Sequence, residues 1–450
     1  MRPEETFLNL YRDHAEAVKA SCSDLLNNVR AQAFDAFNEY GFPNASQEEY
    51  KQCDLKDILS FDYGLNINRF NIPFNPHDLF CCDVPNLSTQ LYYIVNDIFY
   101  KDPKAGNLPQ GVLCGSLNEF SRSHADLLAP YFNAQASKST DGMVALNNTF
   151  IQDGFLLYVP AGVKIEKPLQ LIQVFHGEEN FMANRRILVI VEDNASVQLL
   201  VCDHTLSEHK CLSNQVAELF VGIDASLDYY ELEMQDGNTA RISNTMAQQE
   251  ANSNLLIHGI VLQNGFTRNN FNVCLAGEHA IAKLSGISLA DSDHFIDNHL
   301  YIDHAVPNCT SHELYKYVLD DSSKGIFSGR ILVRKDAQKT MAYQSNKNLC
   351  SSPNARMFTR PQLVIFADDV KCSHGTATGQ IDENALFYLR TRGIAEEEAR
   401  LLLKFAFTAD VIDEICLEPL KERMRSLIEK RFRGELAKCA GCTPATKRNV

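Results

Sequence analysis

A thiol and an imidazole stand one residue apart late in the chain, Cys372 and His374, followed by Gly375 and Gly379. On an extended strand that spacing puts both side chains on one face. Thiol sulfur and imidazole nitrogen are donors suited to iron, zinc and copper. The same two groups also make up nucleophilic sites. However, His374 lies too close in sequence to orient Cys372 as its base, so a Cys–His hydrolase would borrow a histidine from elsewhere. A third reading is a strand end with a buried thiol and a hydrogen-bonded imidazole, and spacing alone leaves all three open.

Other chemistry-bearing groups are weaker. His294, His299 and His304 fall five apart. On a strand His294 and His304 share a face and His299 points away, so the expectation is satisfied or solvent-facing histidines rather than one metal site. Cys439 and Cys442 form a single CxxC pair, half of what structural zinc needs, and read as incidental. Asp297, Asp303, Asp320 and Asp321 offer no recognisable acid/base pair for sugar chemistry. No GxxxxGK[ST] phosphate loop is present, so nucleotide hydrolysis by this chain alone is not expected.

What positions Cys372 and His374 is a long β-rich body. Strand-like runs include Phe155–Val159, Leu169–Phe175, Ile187–Val191, Val197–Val201, Leu227–Met234, Leu255–Leu262, Glu313–Leu319 and Gly325–Val333. Short polar turns recur at Asn194, Asp224, Asn252, His279, Asn308 and Asp336, spaced 30, 28, 27, 29 and 28 residues. So even a period belongs to a solenoid, in which every coil has one perimeter. The fold class is therefore mainly β with helical ends: a β-helix over residues 106–381, a helical domain over 1–105 and another over 382–450. A β-sandwich is the alternative.

The ends carry helical periodicity. Leu8, Tyr11, Ala15, Val18, Cys22, Leu25, Leu26 and Val29 predict a helix from about Glu4 to Glu39, stopped at Gly41-Phe42-Pro43. Ser46 and Glu49 fit a capping box, and Leu91, Ile94, Val95 and Ile98 suggest further helix. Asp382 is a plausible N-cap. Beyond it, stripes through Phe387, Leu402, Phe405, Phe407 and Leu427 either pack on the chain's own core or dock on a partner.

The stretch Asp368-Asp369-Val370-Lys371-Cys372-Ser373-His374-Gly375 is followed by Gly379-Gln380-Ile381-Asp382 and by Phe387-Tyr388-Leu389-Arg390-Thr391-Arg392-Gly393-Ile394. Together with Ala337-Gln338-Lys339-Thr340, Gln344-Ser345-Asn346-Lys347-Asn348-Leu349 and Pro361-Gln362-Leu363, it resembles the SufB/SufD family of the SUF iron–sulfur cluster assembly system, on its SufD side. The resemblance runs from about Tyr158 to Phe407. Nearer the start, Glu48-Glu49-Tyr50-Lys51 and Asp54-Leu55 resemble the family's N-terminal pattern. Two departures are His374-Gly375-Thr376-Ala377, where the family more often has His-Gly-Ala-Thr, and Cys350-Ser351-Ser352, which interrupts a leucine run and adds a thiol.

The resemblance implies a right-handed parallel β-helix and a non-enzymatic scaffold. It implies pairing with a SufB-like paralogue, and helices after Asp382 that bind a SufC-like ATPase. It implies a nascent cluster at the SufB interface, with His374 as metal ligand and Cys372 as a second candidate. No cofactor is permanently bound, although reduced flavin in the complex and a SufE-type sulfur donor acting through it belong to the same expectation. A carbohydrate-active β-helix enzyme is the rival reading.

Composition predicts an ordinary soluble chain. Hydrophobic residues make up 45% and charged residues 22% of 450, with a net charge of −15. That sign disfavours nucleic acid and anionic membrane surfaces. The N-terminus lacks an apolar signal core and no run reaches spanning length, so the expectation is a cytoplasmic chain whose 14 cysteines are mostly reduced and buried.

Overall fold

The computed structural model describes residues 3–70, 90–100 and 106–435. Its centre is a parallel β-solenoid. Successive strands from Phe155–Val159 to Lys371–Gly379 alternate between two sheets, and each pairs in parallel with the strand one coil away. Register is unshifted over most of the length; for example, Thr310–Leu319 aligns residue for residue with Met341–Cys350.

The repeating turns explain how the coils close. Asn194, Asp224, Asn252, His279 and Asn308 all adopt left-handed backbone, with φ of 58°, 56°, 56°, 64° and 63°. Asn, Asp and His are the non-glycine residues that tolerate this conformation best. Each coil also bonds to the next at this corner: the Asn194, Asp224, Asn252 and Asn308 amides donate to Ile223, Ala251, Glu278 and Gln338 carbonyls at 2.7–3.0 Å. In the coil after Asn308 the left-handed position is Lys339 (φ 59°), three residues beyond the expected Asp336.

Side chains alternate across each strand, and both faces are covered. Val197, Leu199, Val201, Leu227, Tyr229, Leu255 and Ile257 fill the interior between the sheets. Their neighbours Leu200, Tyr230, Leu232, Leu256 and Ile260 face outward from the ten-stranded sheet. There they pack under the C-terminal helices Glu383–Thr391, Glu396–Asp413 and Glu418–Phe432. On the nine-stranded sheet, Met182, Leu212 and Ile242 pack under N-terminal residues Phe7, Leu8, Leu146 and Phe150. Burial on both faces is why these strands read as near-continuous apolar runs.

The ends differ from expectation in detail. The first helix breaks into Pro3–Ala20, Asp24–Asn27 and Arg30–Tyr40, because Ser23 caps a new turn by accepting from the Leu26 amide. Ser46 makes no capping box; it bonds Asn44 Oδ1, and a 3-10 turn follows at Glu48–Tyr50. Leu91, Ile94, Val95 and Ile98 lie on strands Gln90–Val95 and Ile98–Tyr100, the first pairing in parallel with Leu169–Phe175. The aromatic and β-branched run Tyr92-Tyr93-Ile94-Val95 favours strand, and left-handed Asn96 turns the hairpin. Helices meanwhile continue past residue 105, through Leu117–Ser123 to Gly142–Phe150.

Asn252 is exposed and left-handed, so it isolates the backbone requirement. We expect Asn252→Val to destabilise the fold by about 1–2 kcal/mol and Asn252→Gly to leave it unchanged, as measured by urea-unfolding midpoints.

Candidate functional site

Among the described residues the solenoid ends in two unpaired edges. Lys371–Gly379 closes the ten-stranded sheet and, among the described strands, pairs only with Met341–Cys350, while Arg356–Ile365 closes the nine-stranded sheet. Across the last ladder Cys372 aligns with Ala342, His374 with Gln344, Thr376 with Asn346 and Thr378 with Asn348. Ala342, Gln344, Asn346 and Asn348 are all buried in the interior. Cys372, His374, Thr376 and Thr378 therefore continue the inward-facing columns, and the spacing of two does put the thiol and imidazole on one face. Thr376 donates to Asn346 Oδ1 at 3.2 Å, and Asn348 donates to Thr378 Oγ1 at 3.1 Å, which pins the final strand.

The two candidate donors differ in environment. His374 is exposed, since no further coil covers it. Cys372 is half-buried beside Ile331, Val333, Ala337 and Ala342, and this burial pushes its thiol pKa up. A raised thiol holds less thiolate, which is the form that binds metal. Cys350 is likewise half-buried, packs on the main core and has a raised thiol.

Behind the last coil the interior is polar. Gln344 Nε2 donates to Glu313 Oε2 at 2.6 Å, and burial pushes the Glu313 carboxyl up to about 8. Deeper in, Arg241 meets Glu231 and Glu233 at 3.0 Å and Asp203 at 3.3 Å, while Arg185 meets Asp203 at 2.8 Å. Burial alone would lower Arg241, but the three carboxylates outweigh it and hold it charged. Sequence reasoning missed this lumen. Its signal lay in the alternation Tyr229, Glu231, Glu233, which carries two acids onto the same inward face as a core tyrosine.

The other candidates do not converge. His294 pairs with Asp291 and His299 with Asp297, each at 3.2 Å. His304 is buried against Ser311 at 2.9 Å, and burial pushes it down to about 4. Asp297 is held by Arg268, Asp303 by Arg334 and Asp320 by Lys404. Asp321 accepts from the Ser292 amide at 2.9 Å. Among the described residues no three His, Cys, Asp or Glu side chains are grouped to hold a metal. Cys439 and Cys442 lie outside the described residues.

The C-terminal stripe divides. Asp382 caps its helix as expected, accepting from the Asn384 and Ala385 amides. Phe387 is 68% exposed, Tyr388 57% and Leu402 42%. Phe405 and Phe407 are half-buried against the solenoid, and Lys316 binds the Phe407 carbonyl and Asp410 at 2.7 and 2.6 Å. Leu427, expected at a partner surface, is buried with Leu420, Met424 and Ile428, so the chain's own packing uses it.

A family model described as the SufBD core domain of SUF system FeS cluster assembly matches residues 174–407, and the SufBD N-terminal region matches residues 1–171. The chain belongs to the SufBD family. It is 26% identical over 424 residues to an iron-sulfur cluster assembly SufBD family protein of Synechocystis, covering 92% of this chain and 93% of that one. It is 27% identical to the iron-sulfur cluster assembly protein SufD of Escherichia coli, covering 64% of this chain and 69% of the relative. SufD of Bacillus subtilis is also 27% identical, with 72% and 75% covered. This is thus an iron-sulfur cluster assembly protein of the SufBD family, built on a β-solenoid. No helix among its described residues is long and apolar enough to cross a membrane.

The buried acid makes a distinguishing prediction for this member. Between the ordinary value of 4.5 and about 8, native Glu313 keeps a proton that the unfolded chain has lost. Stability therefore falls as pH rises through that window, by up to roughly 1.4 kcal/mol per pH unit. Glu313→Gln removes the dependence. We expect its melting temperature to exceed the wild type's by a margin that grows from pH 4.5 to 8 and then levels off.

Proposed function

We propose that this chain is a cytoplasmic SufD-type scaffold subunit that builds a nascent iron–sulfur cluster jointly with a SufB-like paralogue. The observation that carries the reading is His374: an exposed imidazole, inward-facing in register, on a strand with no partner on its outer edge among the described residues. Unpaired strand edges are templates for another chain. A second solenoid stacked on this end would bring its own terminal residues opposite His374. Since no three-ligand group forms within the described residues, the remaining cluster ligands would come from that partner. The cluster is cargo, shared at the interface and passed on.

The chain's residues have separable roles. His374 supplies a nitrogen donor at the seam. Cys372 is the lesser candidate because burial keeps its thiol protonated. Thr376 and Asn346 fix the last strand so the imidazole is presented from a rigid support. The exposed Phe387, Tyr388 and Leu402 form the surface for a SufC-like ATPase, with half-buried Phe405 and Phe407 bracing it. ATP binding by that subunit would then rearrange the paired solenoids. A SufE-type sulfur donor and reduced flavin would act through the assembled complex.

We expect His374→Ala to leave a complex of unchanged stoichiometry that yields little cluster on reconstitution, with Cys372→Ala milder. Normal cluster yield from His374→Ala overturns the assignment, while loss of the complex makes His374 structural. Truncation after Asp382 would strip the apolar face around Leu200, Tyr230 and Ile260, so point changes test the helices better. We expect Phe387→Asp with Leu402→Asp to weaken SufC capture at least about tenfold, an exposed apolar anchor being worth roughly 1–2 kcal/mol. An unchanged melting temperature would show that the fold survives.

A further inference from the structure

One coil inside the open end, the lumen holds oxygens that no described residue satisfies. Glu313, Tyr315 and Gln344 are 3%, 1% and 3% exposed. Glu313 Oε2 accepts from Gln344, yet Glu313 Oε1, Gln344 Oε1 and the Tyr315 hydroxyl have no hydrogen-bond partner among the described residues. Buried polar atoms are nearly always paired. The Gln344 amide oxygen is an acceptor only, and no donor among the described residues stands within hydrogen-bond distance of it. The charged groups deeper in do not serve them, because Arg185 and Arg241 are engaged by Asp203, Glu231 and Glu233.

The facing sheet carries no side chain at this point, and the Gln344 amide occupies the space beside it. Gly329 lies opposite, and a Cβ there would stand 2.2 Å from Gln344 Nε2 and 3.1 Å from Glu313 Oε2. Its backbone is not left-handed, so conformation does not call for glycine; the need is for space. The next rung outward from Gln344 is His374, beyond which the solenoid is open.

We propose that this end of the lumen binds one divalent cation of the manganese–ferrous class, held by the Glu313 carboxylate and the Gln344 amide oxygen. Water completes the shell, and the Tyr315 hydroxyl is placed to bond it. Carboxylate and carbonyl oxygens suit such hard cations, and the imidazole at the mouth suits iron on its way in or out. As the cation enters, the carboxyl proton leaves to solvent, so the lumen gains one unit of charge rather than two. The inference rests on the scaffold reading only for iron as the natural occupant; the site itself belongs to the isolated chain.

The test is a titration of the full-length chain with Mn²⁺, followed by loss of the free-ion paramagnetic resonance signal. One ion per chain is expected. Glu313→Gln, which removes the charge, and Gly329→Ala, whose Cβ would displace the Gln344 amide, should each weaken binding by at least about tenfold, the scale of lost metal-site support. His374→Ala should stay within about threefold, since its role at the mouth is separate. Equal binding by wild type and both lumen variants overturns the proposal, as does a wild type that binds no Mn²⁺ and holds only water there. Loss in His374→Ala as well would move the site to the mouth and also overturn the placement. If Mn²⁺ binds as expected but the complex makes cluster normally with His374→Ala, the scaffold assignment fails alone.

Discussion

Everything in this molecule depends on one coil being stacked in register on the next. Parallel strands cannot pair through a tight hairpin; the chain must travel around and return. Here it returns by way of the opposite sheet, so each strand's hydrogen bonds lie one coil away in either direction. Interior strands are satisfied by the chain itself. The final strand is not, because the chain turns away into helices at Asp382. The end at which we propose a partner is thus where the protein's own folding rule leaves backbone groups unmet.

The same stacking fixes what the interior can hold. Inward side chains form columns, and a column may be apolar, as at Ile257 and Leu284, and then turn polar, as at Glu313, Gln344 and His374. Charges inside such a column are costly unless paired. Arg241 among three carboxylates illustrates the compensation: the cluster adds little stability over apolar packing, yet losing the arginine would strand the acids. Glu313 lacks an arginine and remains neutral through much of the physiological range instead.

Much of this was legible in the sequence. The period of the turns gave the solenoid because Asn, Asp and His sit where the backbone is left-handed. Cys372 and His374 share a face as their spacing required. The lumen was harder, since Glu313 and Gln344 are 31 residues apart and meet only once the register is known. The N-terminal pattern misled because Leu91, Ile94, Val95 and Ile98 fit helical and extended spacing alike, and pairing with Leu169–Phe175 decided between them. Leu427 and Leu402 sit on stripes of the same kind, and only packing shows that one is spent inward and the other left outside.

The left-handed corners have a consequence for how such a chain can change over time. They hold the perimeter of each coil nearly constant, so a single residue gained or lost inside a strand would turn every later side chain on it inside out. Growth is tolerated at the corners or by duplicating an entire coil. A lineage can therefore lengthen or shorten the body in whole steps of about 4.8 Å, while the terminal histidine stays at the rim whatever the number of steps below it.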